Sequence, residues 1–179
     1  MTSFKDIKYL KEGSLRQREA FSILNEKQIL QKLEQFQPIL TGTIPINIYT
    51  PESDLDIICY WDDKMYFIEK LKTLFSTEEN FTLQEVSIAG QQTIIASFIA
   101  GTFEFEIFGQ NVPTPQQNAY LHMLIEYKIL EEKGETFRKK IIGLKRSGLK
   151  TEPAFAQLLQ LEGDPYTSLL QYTTSEKIN

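Results

Sequence analysis

Apolar side chains at Leu15, Phe21, Leu24, Ile29, Leu30, Leu33 and Phe36, several of them three or four residues apart, follow the period of a helix with one buried face. Helices are therefore expected over residues 4–11 and 14–36, the second capped by Ser14 and divided near Asn25. Pro38 ends helical structure, and Ile39-Leu40 starts a short strand running into Gly42. Residues 44–53 carry Pro45, Pro51 and several β-branched residues, which suit a turn or a distorted helix. The period then drops to two over 54–60, 81–88, 92–100 and 102–108, so four strands are expected there, with a helix at 62–75 opened by Asp62-Asp63. The last three strands, parted by Ala-Gly and Ala-Gly-Thr turns, should pair as an antiparallel meander.

From Pro115 the helical period returns over 115–133, 135–147, 152–161 and 165–173, punctuated by Gly134, Gly148, Pro153 and Pro165. This order of elements describes an α+β fold with a C-terminal helical part. The change of character near residue 112 suggests a core over 1–112 and a helical subdomain over 113–179.

Composition narrows the picture slightly. The chain has 179 residues, 41% hydrophobic and 24% charged, ordinary for a globular protein. A net charge of −5 argues against broad binding to duplex nucleic acid, which depends on neutralising many phosphates. Cys59 is the single cysteine, so neither an intramolecular disulfide nor a cysteine zinc site can form, which fits a reducing compartment. The opening MTSFKDIKYLKEG lacks the apolar core of a signal peptide, and no run approaches the roughly 20 apolar residues of a membrane span. A cytoplasmic location is expected.

The chemistry gathers in LTGTIPINIYTPESDLDIICY, Leu40 to Tyr60. Asp is disfavoured in strands, yet Asp54 and Asp56 lead an apolar run and, two apart, share one face, while Leu55, Ile57 and Cys59 share the other. Two carboxylates about 4 Å apart repel by about 4 kcal/mol at an effective dielectric of 20. A divalent cation between them reverses that sign, and Mg²⁺ is commonly held by one or two carboxylates with waters and phosphates. The alternative is a solvated strand end. In TFEFEIF, residues 102–108, Glu104 and Glu106 form a second pair that either converges on the first, as a two-cation phosphoryl-transfer site needs, or faces solvent from an edge strand. Gly42-Thr43 offers backbone N–H groups and a hydroxyl to a phosphate.

The basic run Arg138, Lys139, Lys140, Lys145, Arg146 and Lys150 is either a phosphate or RNA contact surface or the solvated face of a helix. His122, the single histidine, aligns with Asn118 and Glu126 in a polar stripe facing either the site or solvent. Cys59 reads as a core thiol, and Tyr60 and Trp61 as core aromatics more than base-stacking ones.

An apolar residue, Gly and a small hydroxyl residue, about ten residues, Asp-apolar-Asp, and a later acid on a strand resemble the nucleotidyltransferase superfamily with the polymerase beta type of fold. Here these are Leu40 to Thr43, Asp54-Leu55-Asp56 and Phe105-Glu106-Ile107. GTIPINIYTPESDLDIICY, FEFEIFGQ, QNAYLHM and LKRSGLKTEPAFAQLLQLEGDPY resemble, over most of the chain, a bacterial family of nucleotidyltransferase-like proteins without an assigned activity.

The resemblance implies a mixed sheet covered by helices. It implies Mg²⁺ or Mn²⁺ on Asp54, Asp56 and Glu106, with Glu104 in reserve, and a nucleoside triphosphate such as ATP near Gly42, Thr43, Ser53 and Lys150. The implied reaction moves a nucleoside monophosphate to an acceptor hydroxyl on a small molecule, RNA or protein. Relatives usually carry serine after the glycine and start a helix there, whereas this chain has Thr43 and Pro45. That departure motivates the alternative of an inactive module that binds a nucleotide or a protein partner.

Overall fold

The computed structural model describes residues 4–88 and 90–172. Residues 1–3 of the opening segment, Ala89 of the first meander turn, residue 173 at the end of the last expected helix, and 174–179 of the expected subdomain lie outside this range.

The N-terminal helical pattern forms several short pieces. A 3-10 turn, Lys8–Glu12, overlaps the second half of the first expected helix, and residues 4–7 are not helical. α1 spans Leu15–Glu26, opened by the Ser14 N–H donating to Gln17 Oε1 at 2.9 Å. Asn25 does not break it, because its side chain donates back to the Phe21 carbonyl at 2.7 Å; the chain turns instead at left-handed Gln28 and enters α2, Ile29–Lys32. A 3-10 turn, Glu34–Phe36, leads to β1, Ile39–Thr41.

β2 spans Leu55–Tyr60, one residue shorter than expected, so Asp54 stands just before it. α3, Lys64–Phe75, follows, its first turn capped by Asp63 Oδ1 accepting the Tyr66 N–H at 3.0 Å. β3, Glu79–Ile88, β4, Gln91–Ala100, and β5, Phe103–Gln110, form the expected antiparallel meander. α4, Asn118–Arg146, leaves helical geometry at Gly134, where two helices had been expected to meet; α5, Thr151–Leu159, and α6, Pro165–Gln171, complete the described chain.

The five strands make one mixed sheet in the order β1-β2-β5-β4-β3. After α3 and the β3–β4 hairpin the chain returns to lay β5 parallel to β2, while β1 runs antiparallel on the other side of β2. Alternation along β2 sends Leu55, Ile57 and Cys59 into a core shared with α1 and α3, where Phe98 stacks on Phe75 and Phe105 at 4.8 and 5.1 Å. Each such buried ring contributes about 1.5–3 kcal/mol. Ile58 points the other way and joins Ile39, Met123, Ile129, Leu130 and Phe155 in a second core under α4 and α5. The fold is thus α+β, as expected. Among the described residues no helix is long and apolar enough to cross a membrane.

Candidate functional site

Asp56 occupies the same side of β2 as Ile58, and the sheet register sets it between two neighbours: Thr41 on β1 and Glu106 on β5. These positions open into a cavity of about 610 Å³ between the sheet and the C-terminal helices. Thr41, Gly42, Thr43, Ser53, Asp54, Asp56 and Glu106 line one wall; Glu126, Lys145, Lys150 and Glu152 line the other.

Gly42 is required by geometry. Its φ of +81° is one L side chains rarely adopt, and a Cβ there would stand 2.1 Å from Asp56 Oδ2. Thr43 Oγ1 lies 3.1 Å from Ser53 Oγ, which accepts the Thr50 N–H at 3.0 Å, so the two hydroxyls tie the ends of the loop together. No helix starts after Gly42; residues 43–47 form a turn. The Ile44 carbonyl accepts the Asn47 N–H at 3.1 Å, and side chains from the helices add donors along the turn: Gln17 Nε2 donates to the carbonyls of Ile44 at 2.9 Å and Pro45 at 3.1 Å, and the Arg138 guanidinium donates to Ile46 and Asn47. Ile44, Ile46 and Ile48 are buried beneath it. The chain that Pro45 bars from a regular helix is therefore anchored from both α1 and α4.

On the helical wall, His122 works as a joint. Its Nε2 lies 2.9 Å from the Tyr166 carbonyl, which requires the proton on that nitrogen, and Nδ1 lies 3.7 Å from Glu152 Oε1. One α4 residue thus links α5 and α6. The stripe expected through Asn118, His122 and Glu126 reaches the cavity at its last two members. The basic run divides: Arg138 serves the turn, Lys139, Lys140 and Arg146 are exposed, and Lys145 and Lys150 line the cavity.

The electrostatics follow from crowding. Burial, then Asp54 and Glu106, push the Asp56 carboxyl well above the ordinary carboxylate range. Burial, then Asp54 and Glu104, raise Glu106. Burial followed by the nearby Glu152 raises Glu126 to about 8, and burial lowers Lys145 against the pull of Glu126, Glu152, Asp56 and Asp54. Thr41 Oγ1 is buried without a hydrogen-bond partner. Three oxygen-donor carboxylates on one wall, two of them with their charged forms disfavoured, fit a hard cation such as Mg²⁺. Among the described residues no three such side chains gather tightly enough to make a ready cage. Mg²⁺ ordinarily completes its shell with water and substrate oxygens.

Of the residues expected at a site, Asp54, Asp56, Glu106, Gly42, Thr43, Ser53 and Lys150 line this cavity. Glu104 does not: it is exposed, and β2 begins opposite Phe105, so no β2 residue stands beside it. Cys59 is a buried core thiol whose pKa burial raises, and Trp61 is buried, its indole N–H unpartnered. Glu126, Lys145 and Glu152 as a group escaped the sequence, since polar residues on helices ordinarily mark a solvated face.

This arrangement has the fold of nucleotidyltransferases. The Cid1 poly(U) polymerase with MgGTP bound matches with a TM-score of 0.51 at 15% identity, over 78% of this chain and 46% of that one. With Mg 3′-dATP bound, the same polymerase matches at 0.52 and 14% identity, over 91% and 52%. A cytoplasmic RNA terminal U-transferase matches at 0.50 and 15% identity, over 78% and 45%. The chain thus spans about half the length of these proteins. Residues 22–172 match the model of a domain of unknown function, DUF4269, and the chain belongs to that family. No curated protein matches it in sequence.

Proposed function

We propose that the protein transfers a nucleoside monophosphate from a nucleoside triphosphate to an acceptor hydroxyl. The observation carrying this reading is the parallel β2–β5 register that sets Asp56 beside Glu106, with Asp54 and the Gly42 bend on the same cavity wall. The polymerase fold of its structural neighbours supports it. Asp54, Asp56 and Glu106 would hold Mg²⁺ or Mn²⁺, which would neutralise charge on the phosphates. Lys145 and Lys150 supply positive charge from the opposite wall, and the Gly42–Thr43 turn offers backbone N–H groups to phosphate oxygens. The acceptor oxygen bonds to the α-phosphorus, the bond to the β-phosphate oxygen breaks, and pyrophosphate leaves. Glu106, its basicity raised by burial and by Asp54, is suited to take the hydroxyl proton. In this reading the helices from residue 113 onward form a separate part that closes the cavity over the 1–112 core.

Purified protein with labelled triphosphates and Mg²⁺ or Mn²⁺ is expected to give transfer or self-modification, and the Asp54→Ala, Asp56→Ala double variant to abolish it. Unchanged activity in that variant would rule the site out.

One observation favours a second reading, that of an inactive nucleotide-binding module: Gly42 is followed by a turn instead of a helix start, which removes the row of N–H groups a helix end would aim at a phosphate. Calorimetric binding of triphosphate without turnover across a broad acceptor screen would select it, and measurable turnover would remove it.

A further inference from the structure

The cavity holds more carboxylates than nucleotidyl transfer needs. Six carboxylates line the cavity, those of Glu52, Asp54, Asp56, Glu106, Glu126 and Glu152, against two lysines. Metal ions answer Asp54, Asp56 and Glu106, and phosphates answer Lys145 and Lys150, but nothing in that scheme answers Glu126. Its side chain is 4% exposed and lines the cavity, and no donor among the described residues makes a hydrogen bond or ion pair with it. A buried carboxylate without a partner is costly, and burial favours its protonated form until a cation takes the proton's place.

Lys145 is the cation both walls share, lying in the field of Asp54, Asp56, Glu126 and Glu152 at once. It cannot serve both. Once a triphosphate draws Lys145 toward the sheet, Glu126 loses its cationic neighbour, while Glu152 keeps His122 at 3.7 Å. A polyanionic acceptor such as RNA would add negative charge where it is already in excess. An ammonium group supplies what is missing: one positive charge and three donors in a compact head.

We propose that the acceptor is an amine-bearing small molecule whose ammonium group docks on Glu126, with Glu152 beside it. The word acceptor rests on the nucleotidyl-transfer reading; the amine subsite itself rests on Glu126 and the cavity.

The test is calorimetry on the full chain with Mg²⁺ and an ATP analogue whose α–β linkage cannot be cleaved, followed by two matched probe pairs: glucosamine against glucose, and spermidine against an uncharged diol of similar length. At least one amine should bind more tightly than its neutral counterpart. Glu126→Gln should weaken that binding about tenfold or more, the scale of one charged hydrogen bond, and leave analogue affinity unchanged. Glu152→Gln, a second variant should the first not fold, should weaken amine binding by a smaller factor. Neutral probes binding as well as amines, or amine binding indifferent to both substitutions, overturns the proposal. An analogue that fails to bind while an amine binds through Glu126 removes the nucleotidyl-transfer reading and leaves the subsite standing.

Discussion

Gly42 concentrates the requirements of the site in one residue. It needs both a positive φ and the absence of a Cβ, because Asp56 Oδ2 fills the space a methyl group would take. Gly42→Ala is therefore expected to destabilise the fold by about 1–3 kcal/mol from backbone strain and to displace the Asp56 carboxylate as well. Urea unfolding would read the first effect, and loss of Mg²⁺-dependent nucleotide binding the second. Glu126 makes a separate prediction through pH. Its ordinary value is 4.5 and its folded value about 8, so in between the native chain keeps a proton that the unfolded chain has released. Native-state stability attributable to this group is thus present at low pH, falls as pH rises through that window, and levels off above about 8. Glu126→Gln should flatten that slope and leave the variant more stable than the parent at pH 8 by on the order of a few kcal/mol, measured by urea unfolding across pH.

Among elements, the 43–47 turn depends most on partners far away in sequence. Gln17→Leu would keep the volume roughly, strip the Pro45 carbonyl of its side-chain donor and leave the Ile44 carbonyl with the Asn47 N–H alone, at a cost of about 1–3 kcal/mol, with nucleotide affinity falling as the turn loosens. Asp63→Ala is the matching control. It removes the α3 cap at a cost of about 0.5–2 kcal/mol, outside the cavity lining, and should leave nucleotide affinity untouched. The contrast also shows what could be read in the chain. Asp63, the Ser14 helix start, the meander and the bend at Gly134 are local, set by spacing and caps within a few residues. Asp54 and Asp56 were visible because carboxylates are out of place at a strand. The pairing of Asp56 with Glu106 was not, since a parallel neighbour fifty residues away is fixed by packing of α3 and the β3–β4 hairpin. Nor was Gln17 legible, because a glutamine early in an amphipathic helix looks like a solvated residue until the turn it serves is folded against it.

At the scale of the whole molecule, the cavity sets stability against function. Burial and the neighbouring carboxylates raise the proton affinity of Asp56 and Glu106, so at neutral pH the metal-free chain carries repulsion that any opposing charge relieves. Because the folded Asp56 value lies above that of the unfolded chain, this destabilisation deepens as pH rises, so the comparison belongs at pH 8. Asp56→Asn should raise the melting temperature of the metal-free protein there while abolishing transfer, the pattern expected when a site is held at the expense of stability. Mg²⁺ with a triphosphate should do the reverse. A ligand bound to the folded state at a hundred times its Kd adds about 2.7 kcal/mol, or about 5–10 °C for a chain of this size, to the parent. The Asp56→Asn variant should gain far less. Differential scanning calorimetry of both proteins, with and without Mg²⁺ and triphosphate, separates the outcomes: a variant less stable than the parent without ligand would mean that Asp56 is there to hold the sheet together, and equal ligand gains in both proteins would mean that the cation does not rest on it.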